Sequence, residues 1–216
     1  MTIDRSVCYC QVMSTKATAR PSARPSARDR ILAAANELFY EEGIHSVGID
    51  RVIERAGVAK ASLYNTFGSK DELVRSYLLS RQAAREAQIS RKLAGLDSPK
   101  ARLLAIFDVL ADVIAEPDFR GCAFQRASAE APPGGSVQRV CDSSRAWTRA
   151  LMADLASQAG VTDPDQLAQQ LLLLYDGALT GARLDRDPST AAAARTLAES
   201  LIDAAIAHGR SGSIQS

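Results

Sequence analysis

The sequence contains no apolar run close to the roughly 20 residues that a membrane-spanning helix needs. Its most apolar short stretch, Leu171–Leu174, is only four leucines long. The N-terminus also lacks a continuous apolar segment followed by a small-residue cleavage site, which a secretion signal would contain. We therefore expect a protein of the cytoplasm that has no membrane partner.

Cysteine is scarce, with four residues in a chain of 216, which is too few for a disulfide scaffold. Cys122 and Cys141 are far apart in sequence and the other two lie near the N-terminus, so no zinc-ligand spacing is present. Glu42 and His45 have the E-x-x-H spacing of di-iron bundles, but such a site needs a second motif and further carboxylates. We expect no metal and no other cofactor.

Signs of catalysis are also missing. The sequence has no recognisable pairing of a nucleophile with a base and no glycine-rich loop that would cradle a phosphate. We therefore expect a protein that is not an enzyme. The alternative is an enzyme or carrier built on a helical bundle, and no catalytic group in the sequence supports it.

What the sequence does contain is clearest in residues 47–74, where a glycine separates two short amphipathic helices. In the first helix, apolar residues recur at the helical spacing of three and four: Ile49, Val52, Ile53 and Ala56. Gly57 ends it, because glycine adopts left-handed backbone angles without a Cβ clash. The second helix, Lys60–Phe67, would bury Leu63 and Phe67. This pattern is typical of a helix-turn-helix, whose second helix enters the major groove of DNA.

The same stretch resembles the TetR/AcrR family of transcriptional regulators. Four motifs carry the resemblance, in the family's order and spacing: F-x-x-x-G at Phe39–Gly43, V-x-x-x-A-G-V at Val52–Val58, K-A-S-L-Y at Lys60–Tyr64 and F-G-S-K-D-E-L at Phe67–Leu73. Two departures lie at helix starts. The family often has serine or threonine where this chain has Ala59, so a side-chain N-cap worth about 1 kcal/mol is missing there. Gly48 is likewise a weaker cap for the preceding helix.

The helix pattern and the family resemblance together assign the DNA contacts. Phosphate contacts are expected from three side chains: Lys60, Tyr64 and Lys70. Base edges are expected to meet the four smaller side chains of the second helix: Ala61, Ser62, Asn65 and Thr66. The alternative for Tyr64 is a ring packed on the first helix, with only its hydroxyl exposed to solvent.

The charges nearly cancel, to a net of +1, but residues 1–30 hold six basic and two acidic side chains. In residues 19–28, arginines recur every four positions between prolines, which prevent a regular helix. Residues 1–27 are therefore predicted to be a disordered basic arm that follows phosphates or enters a minor groove. The alternatives are a solvated tail, or a chain that begins at Met13.

The rest of the chain has helical periodicity, so the expected fold class is all-α. We predict a three-helix helix-turn-helix domain at residues 28–75, a larger helical domain at residues 76–208 and a tail at residues 209–216. Further helices are predicted at these positions: Ala27–Glu42, Ser69 to about Gly95, Pro99–Pro117, Val137–Gln158, Asp163–Leu184 and Thr190–His208. Residues 120–130 are interpreted as a segment that leads to a Pro-Gly loop.

The helix at Asp163–Leu184 is apolar nearly all round, which requires burial on every side. With the preceding helix, Val137–Gln158, it resembles the pair that forms a four-helix dimer interface in the family. A homodimer would explain its two apolar faces. The alternative is a central core helix in a monomer.

The resemblance further implies that a small-molecule effector binds the helical domain between Ala83 and Arg186. A mostly apolar pocket is expected there, lined by Phe107, Leu110, Cys122, Phe124, Trp147 and Tyr175. Arg120 and Arg126 lie near Cys122 in sequence, so a lowered thiol pKa and sensitivity to oxidants form one hypothesis. The alternative is a small buried hydrophobic residue.

These expectations combine into a ligand-responsive DNA-binding transcriptional regulator. The resemblance implies a repressor that binds a palindromic double-stranded operator as a homodimer and is released by a small molecule. A structural nucleic-acid binder without ligand control is a further alternative. The near-neutral body and the apolar C-terminal helices argue against it.

Overall fold

The structure is a computed structural model that describes residues 25–212, with side chains described as far as Gly209. Within this range the chain is all-α, as predicted, with nine helices and no strand. The helices are α1 (Ala27–Glu42), α2 (Ile49–Ala56), α3 (Lys60–Phe67), α4 (Lys70–Leu93), α5 (Pro99–Ile114), α6 (Ala123–Glu130), α7 (Ser136–Gln158), α8 (Pro164–Asp185) and α9 (Ser189–Gly212). None of these helices is long and apolar enough to cross a membrane. The predicted basic arm lies almost entirely outside the described residues.

Helix boundaries in the N-terminal part agree with the sequence. α1 and α3 begin and end at the predicted residues. α1 starts at a capping box, in which the Ser26 hydroxyl accepts from the Asp29 amide at 3.1 Å and the Asp29 carboxylate accepts from the Ser26 amide. α2 ends at Gly57, whose φ of 62° and ψ of 46° are the left-handed angles that this turn requires.

Three details differ from the sequence-based expectation. Residues 120–130, predicted as a connecting segment, contain α6, which starts after Cys122 without a side-chain cap and so lacks the usual start signal. α9 continues to Gly212, into the predicted tail. Ile49 and Ile53 of α2 are only half-buried, because they pack at the edge of the core that buries Val52 and Ala56.

The buried apolar residues divide into two cores. The head core is formed mainly by α1–α3, the N-terminal half of α4 as far as Leu78, α6 and the start of α7 as far as Cys141. The body core is formed mainly by α4 from Ile89, α5, α7 from Met152, α8 and α9. The division between the two cores therefore crosses α4 and α7. The domain boundary after residue 75 stays a prediction.

The outer surface of α8 and α9 carries exposed leucines. Leu173 and Leu184 of α8 are 62% and 73% exposed, and Leu197 of α9 is 55% exposed. One face of α8 is therefore uncovered in the single chain, so burial on every side requires a partner. α7 packs between α4 and α8 and the exposed leucines lie on α8 and α9, so the structure favours α8 and α9 over the predicted pair of α7 and α8.

Candidate nucleic-acid interface and internal cavity

The outer face of α3 is the surface that the sequence assigns to DNA. Leu63 and Phe67 are buried and hold the helix by its apolar face. Five of the assigned side chains are exposed: Lys60, Ala61, Tyr64, Asn65 and Thr66. The other two, Ser62 and Lys70, are half-buried at the flank of α3 and at the start of α4. Tyr64 is 45% exposed, so its ring as well as its hydroxyl reaches solvent.

Two arginines stabilise the helix-turn-helix from within. Both belong to the basic side chains of residues 1–30. Arg30 Nη1 donates to the Ala56 and Gly57 carbonyl oxygens at 3.1 and 2.9 Å. These groups lie at the end of α2, where carbonyls have no partner within the helix. The Arg28 guanidinium lies 5.6 Å from the Phe67 ring centroid. Sequence reasoning missed both roles, because Arg28 is the last arginine of the proline-arginine repeat and Arg30 directly follows it.

Lys60 and Thr66 already have partners within the protein. Lys60 Nζ lies 2.9 Å from Asp50 Oδ1, and this hydrogen bond raises the pKa of Lys60. Both side chains are exposed, so the pair contributes little to stability and the ammonium can exchange the carboxylate for a phosphate. The Thr66 hydroxyl donates to the Ser62 carbonyl at 2.6 Å, which leaves the hydroxyl oxygen free to accept.

A cavity of about 350 Å³ lies between α4, α6, α7 and α8. Its lining residues are Arg85, Cys122, Phe124, Gln125, Ser128, Ala129, Cys141, Asp142, Ser144, Arg145, Thr148, Leu172, Tyr175, Asp176 and Leu179. The volume lies at the lower end of the range for small-molecule sites. The cavity lies at the seam between the head core and the body core, since it includes Cys141 of the first and Leu172 of the second.

Three of the six predicted pocket residues line this cavity: Cys122, Phe124 and Tyr175. Phe107 and Leu110 do not line it, because α5 directs them into the body core, where they are almost completely buried. Trp147 is half-buried and does not line the cavity, although the Arg85 guanidinium lies 5.8 Å from its ring centroid. Apolar character in a helix does not distinguish a residue of a cavity wall from a core residue. For this reason all six residues were predicted to line one pocket.

Arg85 is the main cavity residue that sequence reasoning missed. Its Nη2 donates to the Ser144 hydroxyl oxygen at 2.8 Å and to the Ser144 carbonyl at 3.3 Å. Its guanidinium lies 5.1 Å from the Phe124 ring centroid and 5.8 Å from that of Trp147. Its Nε is buried and has no hydrogen-bond partner in the described part of the chain. No local motif marks it, since its partners lie in helices remote in sequence.

The two cysteines at the cavity are protected as thiols. Burial raises the pKa of Cys122, and it raises the pKa of Cys141 to about 11. The positive charge of Arg85 acts in the opposite direction on Cys122 but has a smaller effect than burial. The hypothesis of a lowered Cys122 pKa is therefore wrong, and the alternative, a small hydrophobic residue packed against the core, agrees with the structure. Arg126, one of the arginines expected to cause it, donates instead to the Tyr40 carbonyl.

The E-x-x-H residues have other partners. The Glu42 carboxylate is bound by Arg51, and the hydrogen bond from Arg51 lowers the pKa of Glu42. The His45 amide donates to the Glu130 carboxylate at 2.8 Å. Among residues 25–209, no group of three or more histidine, cysteine, aspartate or glutamate side chains could hold a metal ion.

α6 contacts both the head and the cavity. The Tyr40 hydroxyl of α1 donates to the Gly121 carbonyl at 3.2 Å, just before α6. Along α6, Arg126 donates to the Tyr40 carbonyl and Glu130 accepts from the His45 amide. Four residues of the same helix line the cavity: Phe124, Gln125, Ser128 and Ala129. A displacement of α6 by a molecule in the cavity would therefore act directly on α1 and the loop after it.

The all-α fold and the exposed polar face of α3 define a helix-turn-helix protein. Residues 31–77 match the family described as bacterial regulatory proteins, tetR family, and residues 99–198 match the tetracyclin repressor-like C-terminal domain. This chain belongs to the TetR family of DNA-binding transcriptional regulators.

Solved structures and described relatives agree with this assignment. SCO4454, a TetR-family transcriptional regulator from Streptomyces coelicolor, has a TM-score of 0.80 and 34% identity over 83% of this chain and 96% of its own. The Streptomyces avermitilis regulator sav143 has a TM-score of 0.76 and 35% identity over 84% and 98%. The HTH-type transcriptional regulator YjdC of Escherichia coli is 24% identical over 179 residues, which cover 81% of this chain and 93% of YjdC. These relatives are transcriptional regulators and not enzymes.

Proposed function

We propose that this TetR family regulator is a cytoplasmic repressor, which binds a palindromic operator as a homodimer and leaves it when a small molecule binds. The observation that supports operator binding is the outer face of α3, where exposed polar side chains stand on a helix held by Leu63 and Phe67. A helix anchored in this way can enter a major groove without refolding.

Within α3 and the start of α4, the contacts divide by chemistry. Lys60, Tyr64 and Lys70 bind phosphates, since an ammonium or a phenol at a helix edge suits that role and carries no sequence information. Asn65 is exposed and can accept and donate at the same time, as a bidentate contact to adenine requires. The remaining base contacts are assigned to Ala61, Ser62 and Thr66.

The test is a fluorescence anisotropy titration with a DNA fragment from upstream of the protein's own gene, repeated at several salt concentrations. Replacing Lys60→Ala together with Tyr64→Phe removes one cationic and one neutral phosphate contact. The slope of log affinity against log salt should become shallower by about 0.9, from the lysine alone, and the affinity should fall further through the lost Tyr64 hydrogen bond. The matched control is Lys92→Ala on α4, which is also an exposed lysine paired with a carboxylate, Asp112, at 3.1 Å. Unchanged affinity and slope in the double variant would refute these DNA contacts.

The exposed leucines of α8 and α9 support a homodimer built on these two helices. Leu173, Leu184 and Leu197 are more than half exposed on two helices that pack against each other, which favours a partner surface there. Gly177, one turn after Leu173, is exposed and has open space where a Cβ would be, so a second backbone can approach closely. A two-fold dimer presents two α3 helices to half-sites of a palindrome.

Replacing Leu173→Glu together with Leu197→Glu should convert the dimer into a monomer, because a carboxylate cannot be buried in an apolar interface without a partner. Operator affinity should fall by about a hundredfold or more, since each head then binds alone. Sedimentation velocity and the anisotropy titration measure the two effects. Leu79→Glu on α4, at a leucine that is 40% exposed, is the control and should remain a dimer.

Release from the operator is assigned to α6. A small molecule in the cavity contacts Phe124 and Gln125, and the other side of the helix is bonded to α1 through Arg126 and Tyr40. Such a ligand shifts the protein away from DNA only if it binds better to the conformation whose heads are wrongly spaced. Operator release by the ligand, with unchanged dimerisation, is the expected result.

A further inference from the structure

We propose that the cavity between α4, α6, α7 and α8 is a site for a small organic anion, a monocarboxylate with an apolar body, whose carboxylate is bound by Arg85. This inference rests on the proposed control of DNA binding by a small molecule and names the class of that molecule. It depends on the charge, the donors and the walls of the cavity.

Arg85 is a cation with no acidic partner among residues 25–209. Its contacts within the described chain are the hydroxyl and carbonyl of Ser144 and the faces of Phe124 and Trp147. A guanidinium has five donors, and here the buried Nε has no acceptor among the described residues. A partly buried charge that lacks a counter-ion is costly, so an anion that enters the cavity gains a strong partner.

The carboxylates of the lining are already engaged. Asp176 accepts from Arg145 and from the Gln125 amide, the latter at 3.2 Å. Asp142 is exposed and accepts from Gln138 at 2.8 Å. Because Arg145 is paired with Asp176, Arg85 is the one lining cation without a carboxylate in the described part of the chain.

A second donor lines the same cavity. Tyr175 is a lining residue, the charge of Arg85 acts on its hydroxyl, and that hydroxyl has no hydrogen-bond partner within residues 25–209. Burial raises the pKa of Tyr175 to about 12, so the hydroxyl remains protonated and can donate to an oxygen of the ligand. A carboxylate has two oxygens and can accept from Arg85 and Tyr175 together.

The other walls select an apolar body. Phe124, Leu172 and Leu179 contribute apolar surface to the lining. A volume of about 350 Å³ accommodates roughly a dozen non-hydrogen atoms, taking the volume of a water molecule in the liquid for each. A bare inorganic anion would leave these walls without contacts, so the geometry favours an organic acid.

Arg85 also connects the two cores. Phe124 packs against the head core and Trp147 packs against the body core, and the guanidinium lies against both rings. An anion that draws Arg85 away from either ring changes the packing of α6 on α7 at the seam. The binding site and the element that contacts the head are therefore joined by one side chain.

The test uses Trp147, the only tryptophan of the chain, as its fluorescent probe. The full-length protein is titrated with 4-phenylbutyrate and, separately, with its uncharged match 4-phenylbutanamide, while Trp147 emission and calorimetric heats are recorded. We expect saturable binding of the acid and at least tenfold weaker binding of the amide, because the amide lacks the charge-assisted bond to Arg85. Acetate, which has the charge without the body, should also bind at least tenfold more weakly.

Arg85→Gln should abolish the preference for the acid over the amide. The matched control is Arg91→Gln, an exposed arginine of the same helix outside the cavity, which should keep the preference. Circular dichroism shows whether each variant is folded. The comparison of acid with amide on the unaltered protein tests the proposal even if Arg85→Gln does not fold.

Two results would overturn the inference: equal binding of the acid and the amide, or no binding of the acid at millimolar concentration. An operator released by uncharged compounds that perturb Trp147 equally in Arg85→Gln would also overturn it, while the proposed repressor function would stand. If the acid binds through Arg85 but operator affinity does not change, the anion site stands and the proposed ligand control fails.

Discussion

The head core and the seam between the two cores differ in how they accommodate positive charge. In the head, three cations are paired with carboxylates at the surface: Arg51 with Glu42, Arg55 with Glu37 and Lys60 with Asp50. At the seam, Arg81 and Arg85 lie against aromatic rings, and the Nε of each is buried without a hydrogen-bond partner among the described residues.

This difference separates the two tasks of the protein. Exposed ion pairs contribute about 1 kcal/mol or less, so a cation such as Lys60 can exchange its carboxylate for a DNA phosphate at little cost. A cation at the seam has lost part of its hydration, and ring faces replace that only in part. The head is suited to a polyanion that approaches from solvent, and the seam to a small anion that enters a cavity.

The largest expected effect tests whether α6 belongs to the head core. Leu63→Ala removes a fully buried side chain from that core and should lower the free energy of unfolding by about 2–5 kcal/mol. Hydrogen exchange should show that α6 amides lose protection together with those of α3, while α9 amides keep theirs. Leu79→Ala, at a partly exposed leucine, is the control and should lower the free energy of unfolding much less. If the α6 amides keep their protection as the α9 amides do, the division into these two cores is incorrect.

A smaller effect tests the connection between the head and α6. Tyr40→Phe removes the hydroxyl that donates to the Gly121 carbonyl at 3.2 Å and accepts from the Arg120 amide at 3.0 Å. Loss of these bonds should lower the free energy of unfolding by roughly 1–3 kcal/mol, measured by denaturant titration. Tyr64→Phe removes an exposed hydroxyl on α3 and should change stability by less than about 0.5 kcal/mol. Equal effects of the two variants would show that the Tyr40 bonds do not stabilise the contact between α1 and the segment that precedes α6.

The smallest effect concerns α3, the helix proposed to read DNA. α3 has no side-chain N-cap, as the sequence predicted, and Ala59 has the extended φ of −72° and ψ of 148° that a capping serine adopts. Ala59→Ser should therefore raise the free energy of unfolding by about 0.5–1 kcal/mol. The measurement is the hydrogen exchange of the α3 amides, which should become slower. Gly48→Ser, at the start of α2, should raise the free energy of unfolding by only a few tenths of a kcal/mol. No change in the exchange of α3 with Ala59→Ser would contradict a capping role at this position.

The helix-turn-helix could be predicted from sequence because its signals are local. Gly57 needs left-handed angles, Leu63 and Phe67 repeat at helical spacing, and the matching motifs fall within one short stretch. The same locality explains two omissions. α6 has no cap at Cys122, and Arg30 acts on carbonyls at the end of α2, 26 and 27 residues away.

The cavity illustrates what local patterns do not contain. Phe107 and Tyr175 are both aromatic residues of the body core, yet only Tyr175 also lines the cavity. Cys122 has arginines nearby in sequence, but the burial that raises its pKa is produced by helices from elsewhere in the chain. Such differences depend on which residues come together in space.

The amino-acid sequence by itself determined the helical class, the turn at Gly57 and the polar face of α3, because each depends on residues within one or two helical turns of each other. Only the tertiary structure decided which leucines of α8 and α9 remain exposed and where the two cores divide. It alone placed Arg85 against Ser144, which is 59 residues distant in the chain. The physical reason is that burial and the loss of a counter-ion are properties of packed helices, and no short stretch of sequence contains them.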